Sequence, residues 1–249
     1  MTGIAGPGLL AIAGLAAGVV GTAGGITSLI SYPALLAAGV PALAASVANN
    51  VALVACWPGS ALASRPELRG RGRWLARWAW VAAAGGAAGA GLLLSTPPQA
   101  FARVVPFLVA AGSVALLAQP WISARRREPA GGGPALLAGL LAVSAYNGYF
   151  GAGAGVMTLG LLLATADEHM ARANALKNML IGASSLVSAL AFIAAGPVDW
   201  RAAAPLGIGM LAGSAIGPRL ARRVPAGVLR WLAALLGLLL AARLWLDPA

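Results

Sequence analysis

Charged residues are scarce in this chain, and their scarcity decides its broad class. They make up 9% of the 249 positions, whereas hydrophobic residues make up 60%. Too few polar side chains remain to cover a water-soluble core, so a soluble globular protein is excluded. We therefore expect an all-α protein that crosses the lipid bilayer several times.

Residue types that carry catalysis or bind metals are also scarce. The chain has one cysteine, Cys56, which has no second cysteine for an intrachain disulfide, and one histidine, His169. The motifs H-E-x-x-H and G-x-S-x-G do not occur. Asp167, Glu168 and His169 form a polar cluster, but consecutive loop residues rarely converge on one ion, so we interpret this loop as solvated. The sequence predicts no catalytic residues, no metal site and no cofactor.

The charges that are present are mostly basic. Lysine and arginine together outnumber aspartate and glutamate by 17 to 6, which gives a net charge of +11. A protein that binds nucleic acid would gather such charges on one soluble surface. Here they punctuate apolar segments, so we expect no nucleic-acid partner and interpret the arginines as signals of membrane topology.

Long apolar runs mark the predicted membrane helices, each of which needs about 20 residues. Such runs lie at 42–63, 76–94, 101–121, 172–195, 202–219 and 226–246. Two longer stretches, 6–39 and 133–165, are interrupted by glycines in GVVGTAGGITS and GYFGAGAGVMT. Because glycine disfavours a helix interior, each stretch is predicted to form two short helices that meet at a flexible break. The chain then has eight to ten membrane segments.

The two halves of the chain resemble each other when the sequence is slid along itself. The matches are Gly21, Gly25 and Ile26 with Gly151, Gly155 and Val156; Ser46, Asn49, Asn50 and Ser60 with Asn174, Lys177, Asn178 and Ser188; GRGRW (70–74) with GPVDW (196–200); and Gly85 and Gly89 with Gly209 and Gly213. The offset drifts only from 130 to 124 residues. We predict a first transmembrane repeat at 1–121, a basic cytoplasmic linker at 122–131 and a second transmembrane repeat at 132–249, which together form one transporter domain.

Arginine positions predict how the repeats are oriented, since basic residues accumulate in short cytoplasmic loops. Placing the rich loops at 65–77, 123–127 and 218–223 inside puts thirteen arginines on the cytoplasmic side and three outside. GRGRW is then cytoplasmic while its counterpart GPVDW is external. The two halves are therefore predicted to be inverted, and each broken stretch must return to the side from which it starts.

Inverted repeats with matched glycine breaks are typical of secondary transporters, whose substrate site lies between the repeats. Unwound backbone is tolerated inside a membrane only where it lines a cavity or is covered by protein. A helix that restarts after Gly25 or Gly155 would also direct unpaired N–H groups at that cavity, which favours an anion. We expect the breaks to lie close together at the centre of the fold, with Gly24, Gly25, Gly153 and Gly155 beside the cavity.

Lys177 is the chain's only lysine, and it opens a long apolar run. On a helix, Asn174 and Asn178 lie one turn apart with Lys177 beside them. Amides can donate to a small oxyanion, and an ammonium group can supply its counter-charge. Two alternatives stay open: Lys177 snorkels to the cytoplasmic surface, and the asparagines make packing hydrogen bonds between helices. The predicted substrate-binding set is Gly24, Gly25, Thr27, Ser46, Asn49, Asn50, Gly153, Gly155, Thr158, Asn174, Lys177 and Asn178.

These residues resemble the sulfite exporter TauE/SafE family of bacterial membrane transporters. The resemblance covers nearly the whole chain and is carried by both glycine-rich breaks, by ARANALKN (171–178) and by GPVDWRAAAPLGIGMLAGSAIGPRLARRVP (196–225). It implies a plasma-membrane permease of a kind often linked to export of sulfite or organosulfonates. The first half departs from the family pattern at Ser46 and Val47, and GRGRW replaces the G-x-V-D-W element.

The sequence therefore predicts a multi-pass protein of the plasma membrane that acts as a secondary carrier for a small anion. Sulfite or an organosulfur anion is the substrate that the resemblance implies. An anion-selective channel, or a permease for another small solute, is the alternative, because a pore could use the same glycine breaks. A coupling proton or ion and the oligomeric state stay open.

Overall fold

The computed structural model of the chain describes residues 6–124, 133–167, 169–196 and 198–220, together with single residues between 231 and 246. The regular elements of these residues are all helical, which confirms the predicted class. They are α1 (Pro7–Gly24), α2 (Thr27–Ala37), α3 (Ala42–Leu53), α4 (Cys56–Ala63), α5 (Arg65–Leu68), α6 (Gly72–Ser95), α7 (Pro98–Ala124), α8 (Pro134–Tyr149), α9 (Ala154–Thr165), α10 (Met170–Ala195) and α11 (Trp200–Leu220).

Four helical segments are long and apolar enough to cross a membrane, judged by length and composition: α1, the α3–α4 pair, α6 and α10. Large apolar side chains such as Trp80 and Ile208 are exposed on the outside of the bundle, where lipid is the solvent that suits them. Together these features confirm a polytopic membrane protein. The predicted helix at 226–246 and the predicted linker at 122–131 lie mostly outside the described residues.

Both predicted breaks are present. The first helix stops at Gly24, and Gly25 follows with φ of 80° before α2 begins at Thr27. The second break separates α8 from α9, and Gly153 has φ of 81° immediately before α9. A left-handed backbone of this kind is cheap only without a Cβ, so the glycines that the sequence placed here end and redirect the helices.

The predicted helix at 42–63 is interrupted, which the sequence analysis did not anticipate. It forms α3 and α4, with Val54 and Ala55 between them. Pro58 explains the interruption, because a proline has no N–H and its ring crowds the carbonyl group four residues earlier, here that of Val54. That carbonyl accepts a hydrogen bond from Trp57 N at 3.1 Å instead. The matching helix α10 runs unbroken for 26 residues, with Leu186 at the position that corresponds to Pro58.

Helices α1 and α11 pack side by side in the same direction through small residues. Gly14 lies against Leu206 and Gly18 lies against Met210, while Gly217 lies against Thr22 near the far end of α1. The residue numbers on the two helices rise together, so the helices are parallel. Absent side chains let the two backbones approach closely, which is the usual basis of helix association in membranes.

Helices α6 and α8 repeat this arrangement. Gly85 lies against Ser144, and Gly89 lies against Ala145. Gly148 of α8 packs in turn against the backbone of Gly86. The numbers again rise together, so α6 and α8 are parallel. In each half, the helix that precedes the glycine break is thus packed on a helix of the other half.

Helix α6 also runs parallel to α10. An ion pair joins Arg71 to Asp167 just before the two helices begin, and Gly86 packs against Ser184 about halfway along them. A Cβ placed on Gly196, just after α10, would lie 3.8 Å from Leu94 near the end of α6. Since α11 starts from that same end, α6 and α11 run in opposite directions, as inverted halves require. The inversion itself and the division into repeats stay predictions.

Candidate functional site

The two glycine breaks touch each other. A Cβ placed on Gly25 would lie 2.7 Å from the carbonyl carbon of Gly155, and one placed on Gly155 would lie 2.6 Å from the carbonyl oxygen of Gly25. The predicted closeness of the breaks is confirmed for this pair. Gly153 packs instead against Gly112 of α7, and a Cβ on Gly24 would meet nothing within 4 Å.

A cavity of about 40 Å³ lies beside this contact. It is bordered by both breaks, by the end of α1, by α4 and by the first half of α10. Its polar and sulfur-bearing lining residues are Thr22, Thr27, Ser28, Cys56, Trp57, Ser60, Asn147, Lys177 and Asn178. Of the predicted binding set, Gly25, Thr27, Gly155, Lys177 and Asn178 therefore line the cavity.

Lys177 lies seven residues after Met170, the first residue of α10, or ~10 Å along the helix axis. Its side chain is buried, with 2% of the residue exposed. The ammonium nitrogen donates to Asn174 Oδ1 at 2.8 Å. The alternative that Lys177 snorkels to the surface is therefore wrong, since a snorkelling ammonium group would be exposed to solvent.

Asn174 and Asn178 share one acceptor. Their amide nitrogens donate to the carbonyl oxygen of Thr22, at 3.0 Å and 3.1 Å. That carbonyl lies at the end of α1, where the break removes the usual helical donor. The two asparagines thus cap the broken helix, as the packing alternative anticipated. Asn178 also lines the cavity, whereas Asn174 reaches it only through Lys177.

The corresponding residues of the first half lie outside this cavity lining. Asn49 donates to the Ser28 hydroxyl at 3.0 Å and accepts from the Ser31 hydroxyl. Ser46 donates to the carbonyl oxygen of Tyr149 at 3.3 Å, near the end of α8. Asn50 donates to the carbonyl oxygen of Ser46 at 3.1 Å. Ser46 and Asn49 thus hold helices together, whereas Asn50 bonds within its own helix.

Of the two predicted threonines only one lines the cavity, and an asparagine that was not predicted lines it as well. Thr27 lines the cavity, whereas Thr158 donates to the carbonyl oxygen of Ala154 within its own helix at 2.8 Å. Asn147 also lines the cavity, and its amide donates to Ser184 and Ser185 of α10. The repeat comparison missed Asn147 because its counterpart in the first half is an alanine. Its position just before a predicted break was the signal that could have identified it.

Asp167 corrects the prediction of a solvated loop. It is 3% exposed, and its carboxylate accepts from Arg71 at 2.8 Å, from Arg172 at 3.2 Å and from the His169 backbone N–H at 3.0 Å. Burial alone would raise the pKa of Asp167, but these hydrogen bonds and both guanidinium charges together hold it below its usual value. The described residues contain no cluster of side chains that could hold a metal ion.

The charge of Lys177 is not neutralised by a carboxylate in the described part of the chain. The ion pairs found there all involve Asp167, which is bound to Arg71, Arg172 and His169. The hydrogen-bond partner of the lysine is a neutral amide. A buried ammonium group without a counter-charge is costly, and a bound anion would offset that cost.

The family model described as sulfite exporter TauE/SafE matches residues 10–244, which is nearly the whole chain. No curated protein and no solved structure matched the chain.

Proposed function

Because the chain belongs to the sulfite exporter TauE/SafE family, we propose that it is a secondary carrier that moves a small sulfur oxyanion across the plasma membrane. Family membership makes it a membrane transporter. The choice of sulfite as first substrate, and of a carrier over a channel, rests on the cavity.

The observation that carries this proposal is the buried cation beside the glycine breaks. Lys177 lines the cavity with its charge unpaired by any described carboxylate. An anion in the cavity would complete that pair in surroundings where water competes weakly. The cavity is thus suited to bind negative charge.

The size of the cavity and the hydroxyl-bearing residues of its lining indicate which kind of anion it suits. Its volume of about 40 Å³ exceeds the ~10–15 Å³ that one water molecule requires. Thr27 and Ser28 line it, and hydroxyl groups can donate to the oxygens of a ligand. These features favour a compact inorganic oxyanion such as sulfite over a bulkier organosulfonate.

The contact between the breaks favours a carrier over an open pore. Gly25 and Gly155 meet backbone to backbone, with no side chain between them. In carriers built from two repeats, the halves rock about a site at their interface. A joint without side chains is suited to such movement, because it leaves no side chain to repack.

Counterflow in proteoliposomes tests the proposal. Vesicles loaded with unlabelled sulfite should accumulate a transient excess of labelled sulfite from outside, which a carrier produces and a channel does not. Taurine added in excess should compete weakly. Flux that passes without counterflow would identify a channel, and flux of taurine but not of sulfite would overturn the proposed substrate.

A further inference from the structure

A second, larger cleft lies where α5 and the following loop meet the start of α10. Its volume is about 560 Å³. The lining includes Glu67, Arg69, Arg71, His169, Ala171 and Arg172. None of these residues lines the central cavity described above.

Asp167 fixes two of the arginines from the buried side. One terminal nitrogen of Arg71 and one of Arg172 bind the same carboxylate oxygen, Oδ2. The two side chains are 32% and 37% exposed, whereas that of Asp167 is 2% exposed. A guanidinium group has five N–H donors in a rigid plane. Each arginine is thus held in place by one nitrogen, and its other N–H donors face the cleft.

The start of α10 adds backbone donors at the same place. Ala171, the second residue of α10, lines the cleft. The first N–H groups of a helix have no partner within it and carry a partial positive charge. No side chain in the described part of the chain caps this end, and its first turn has no acidic residue.

Among the described residues around the cleft, basic side chains outnumber acidic ones. The guanidinium groups of Arg69, Arg71 and Arg172 outnumber the carboxylates of Glu67 and Asp167. Two exposed guanidinium groups held at a fixed spacing suit an oxyanion, which accepts several N–H bonds at once. A focused positive field also raises the local concentration of anions.

One face of α10 joins this cleft to the central cavity. Ala171 lines the cleft and Asn178 lines the cavity, and residues seven apart lie on the same side of a helix. Asn174 lies between them on that side. Both asparagines hold the end of α1 through the carbonyl oxygen of Thr22, so the end of α1 separates the cleft from the cavity.

We propose that this cleft is a loading site, where a small oxyanion binds at the arginine-rich face of the protein before it passes the end of α1 to reach Lys177. The identity of the anion rests on the proposed function, whereas binding at the cleft does not. A lipid headgroup phosphate offers the same chemistry, and the experiment therefore separates lipid from free anion.

Arginine modification in the full-length protein tests the loading site without requiring transport. The protein is placed in nanodiscs of phosphatidylcholine and treated with phenylglyoxal in the presence of sodium sulfate or of sodium chloride at equal ionic strength. Sulfate serves as the probe oxyanion because sulfite would add to the aldehyde group of phenylglyoxal and consume the reagent. Peptide mass spectrometry then follows Arg69, which is exposed in the cleft, and Arg73, an exposed arginine outside its lining. Arg73 is a matched control within the same molecule.

We expect sulfate to slow modification of Arg69 severalfold and to leave Arg73 unchanged. The protection should be lost in Asp167→Asn, since Arg71 and Arg172 are then no longer held, and should persist in Lys177→Met, which alters only the central cavity.

Equal protection of Arg69 and Arg73, or none, would overturn the loading site. Protection that appears only with phosphatidylglycerol nanodiscs would assign the cleft to lipid and would equally overturn it. Counterflow of sulfite by the wild type is measured separately, so that a failed substrate assignment is not mistaken for a failed loading site.

Discussion

The two halves of the molecule place corresponding residues in similar frames but give them different tasks. Asn49 sits in α3, and both ends of its amide are bound by serines of α2. Lys177 occupies the matching position in α10, where its ammonium nitrogen is bound by one neutral amide and faces a cavity. Asn49 is satisfied by these partners, whereas Lys177 carries a charge that no described carboxylate neutralises.

This difference shows that residues at matching positions of the predicted repeats can have different tasks. The helices before the breaks are held alike, by small residues on α11 and on α6. Lys177 lies in α10, which packs against α6 of the first half through Gly86 and Ser184. Its chemistry comes from a single substitution in one half, because an asparagine there would complete a neutral network instead of attracting an anion.

The largest effect is expected where the halves touch. Gly25→Ala and Gly155→Ala should each abolish transport and lower stability, because the new methyl group would overlap the opposite backbone at 2.6 to 2.7 Å, an overpacking that costs about 1–3 kcal/mol. At Gly25 the φ of 80° adds strain. Transport by counterflow and thermal unfolding by size-exclusion chromatography measure both effects.

Gly24→Ala is the matched control for this pair. A Cβ at this neighbouring position would meet nothing within 4 Å, so we expect transport and melting temperature near those of the wild type. If Gly25→Ala were as mild as Gly24→Ala, the contact between the breaks would not be needed for transport.

The next largest effect is expected at Lys177, the buried cation. Lys177→Met should raise the apparent KM for sulfite about tenfold or more, equivalent to ~1.4 kcal/mol, because the anion loses its counter-charge. Lys177→Arg should retain part of the affinity, since the charge survives in a different geometry. Initial rates across a range of sulfite concentrations measure KM at matched expression.

Exchanging Asn49 and Lys177 tests whether the two halves are equivalent. The double variant Asn49→Lys with Lys177→Asn keeps the number of charges and moves the cation to the first half. We expect transport to stay as low as in Lys177→Asn alone, because Asn49 is not among the residues that line the cavity. Recovery of transport would show that the halves are interchangeable and that the described cavity is not the binding site.

A smaller and different effect is expected at Asn49. Asn49→Ala leaves the hydroxyls of Ser28 and Ser31 without their amide partner, which costs about 1–3 kcal/mol of stability for buried polar groups. The melting temperature should fall while the KM for sulfite stays within about twofold of wild type. A large rise in KM without loss of stability would place Asn49 in the binding site after all.

The sequence was sufficient to predict the helical class, both glycine breaks and their meeting at Gly25 and Gly155. These features follow from composition and from the backbone freedom of glycine, which are local properties. Burial of Lys177 was one of two open alternatives, because a position one or two turns into a helix suits both a cavity and a snorkelling side chain. Only the packing of neighbouring helices decides between them.

One miss, and one alternative that the sequence left open, have a tertiary origin. Asp167 was interpreted as solvated because its sequence neighbours are polar, yet it is buried by Arg71 from a loop 96 residues away. The capping of α1 by Asn174 and Asn178 depends on where a helix of the other half ends. Neither contact leaves a periodic trace in the sequence, so pattern analysis could not find them.

The ion pairs of Asp167 stabilise the fold, and acid should remove this stabilisation. The pKa of Asp167 is lowered in the folded protein, so its ion pairs stabilise the fold above the unfolded value of about 3.9 and are lost as the pH falls through the lower, folded value. Asp167→Asn should therefore reduce the melting temperature at pH 5 to 7, where wild-type Asp167 is fully charged. The difference between wild type and variant should shrink below about pH 4. A difference that is constant over the whole range would mean that the charge of Asp167 does not contribute.

The smallest perturbation tests whether the halves are inverted at all. Arg73→Cys, at the start of α6, and Arg201→Cys, at the start of α11, replace exposed residues, whereas native Cys56 is buried and should react slowly. Because α6 and α11 run in opposite directions, a membrane-impermeant maleimide should label the two positions from opposite sides, with Arg73→Cys on the cytoplasmic side. Gly8→Cys, at the exposed start of α1, should label from the same side as Arg201→Cys, since α1 and α11 are parallel. Labelling of Arg73→Cys and Arg201→Cys from one side would contradict the inversion. Asn49 and Lys177 could then not be matching residues of two oppositely oriented repeats.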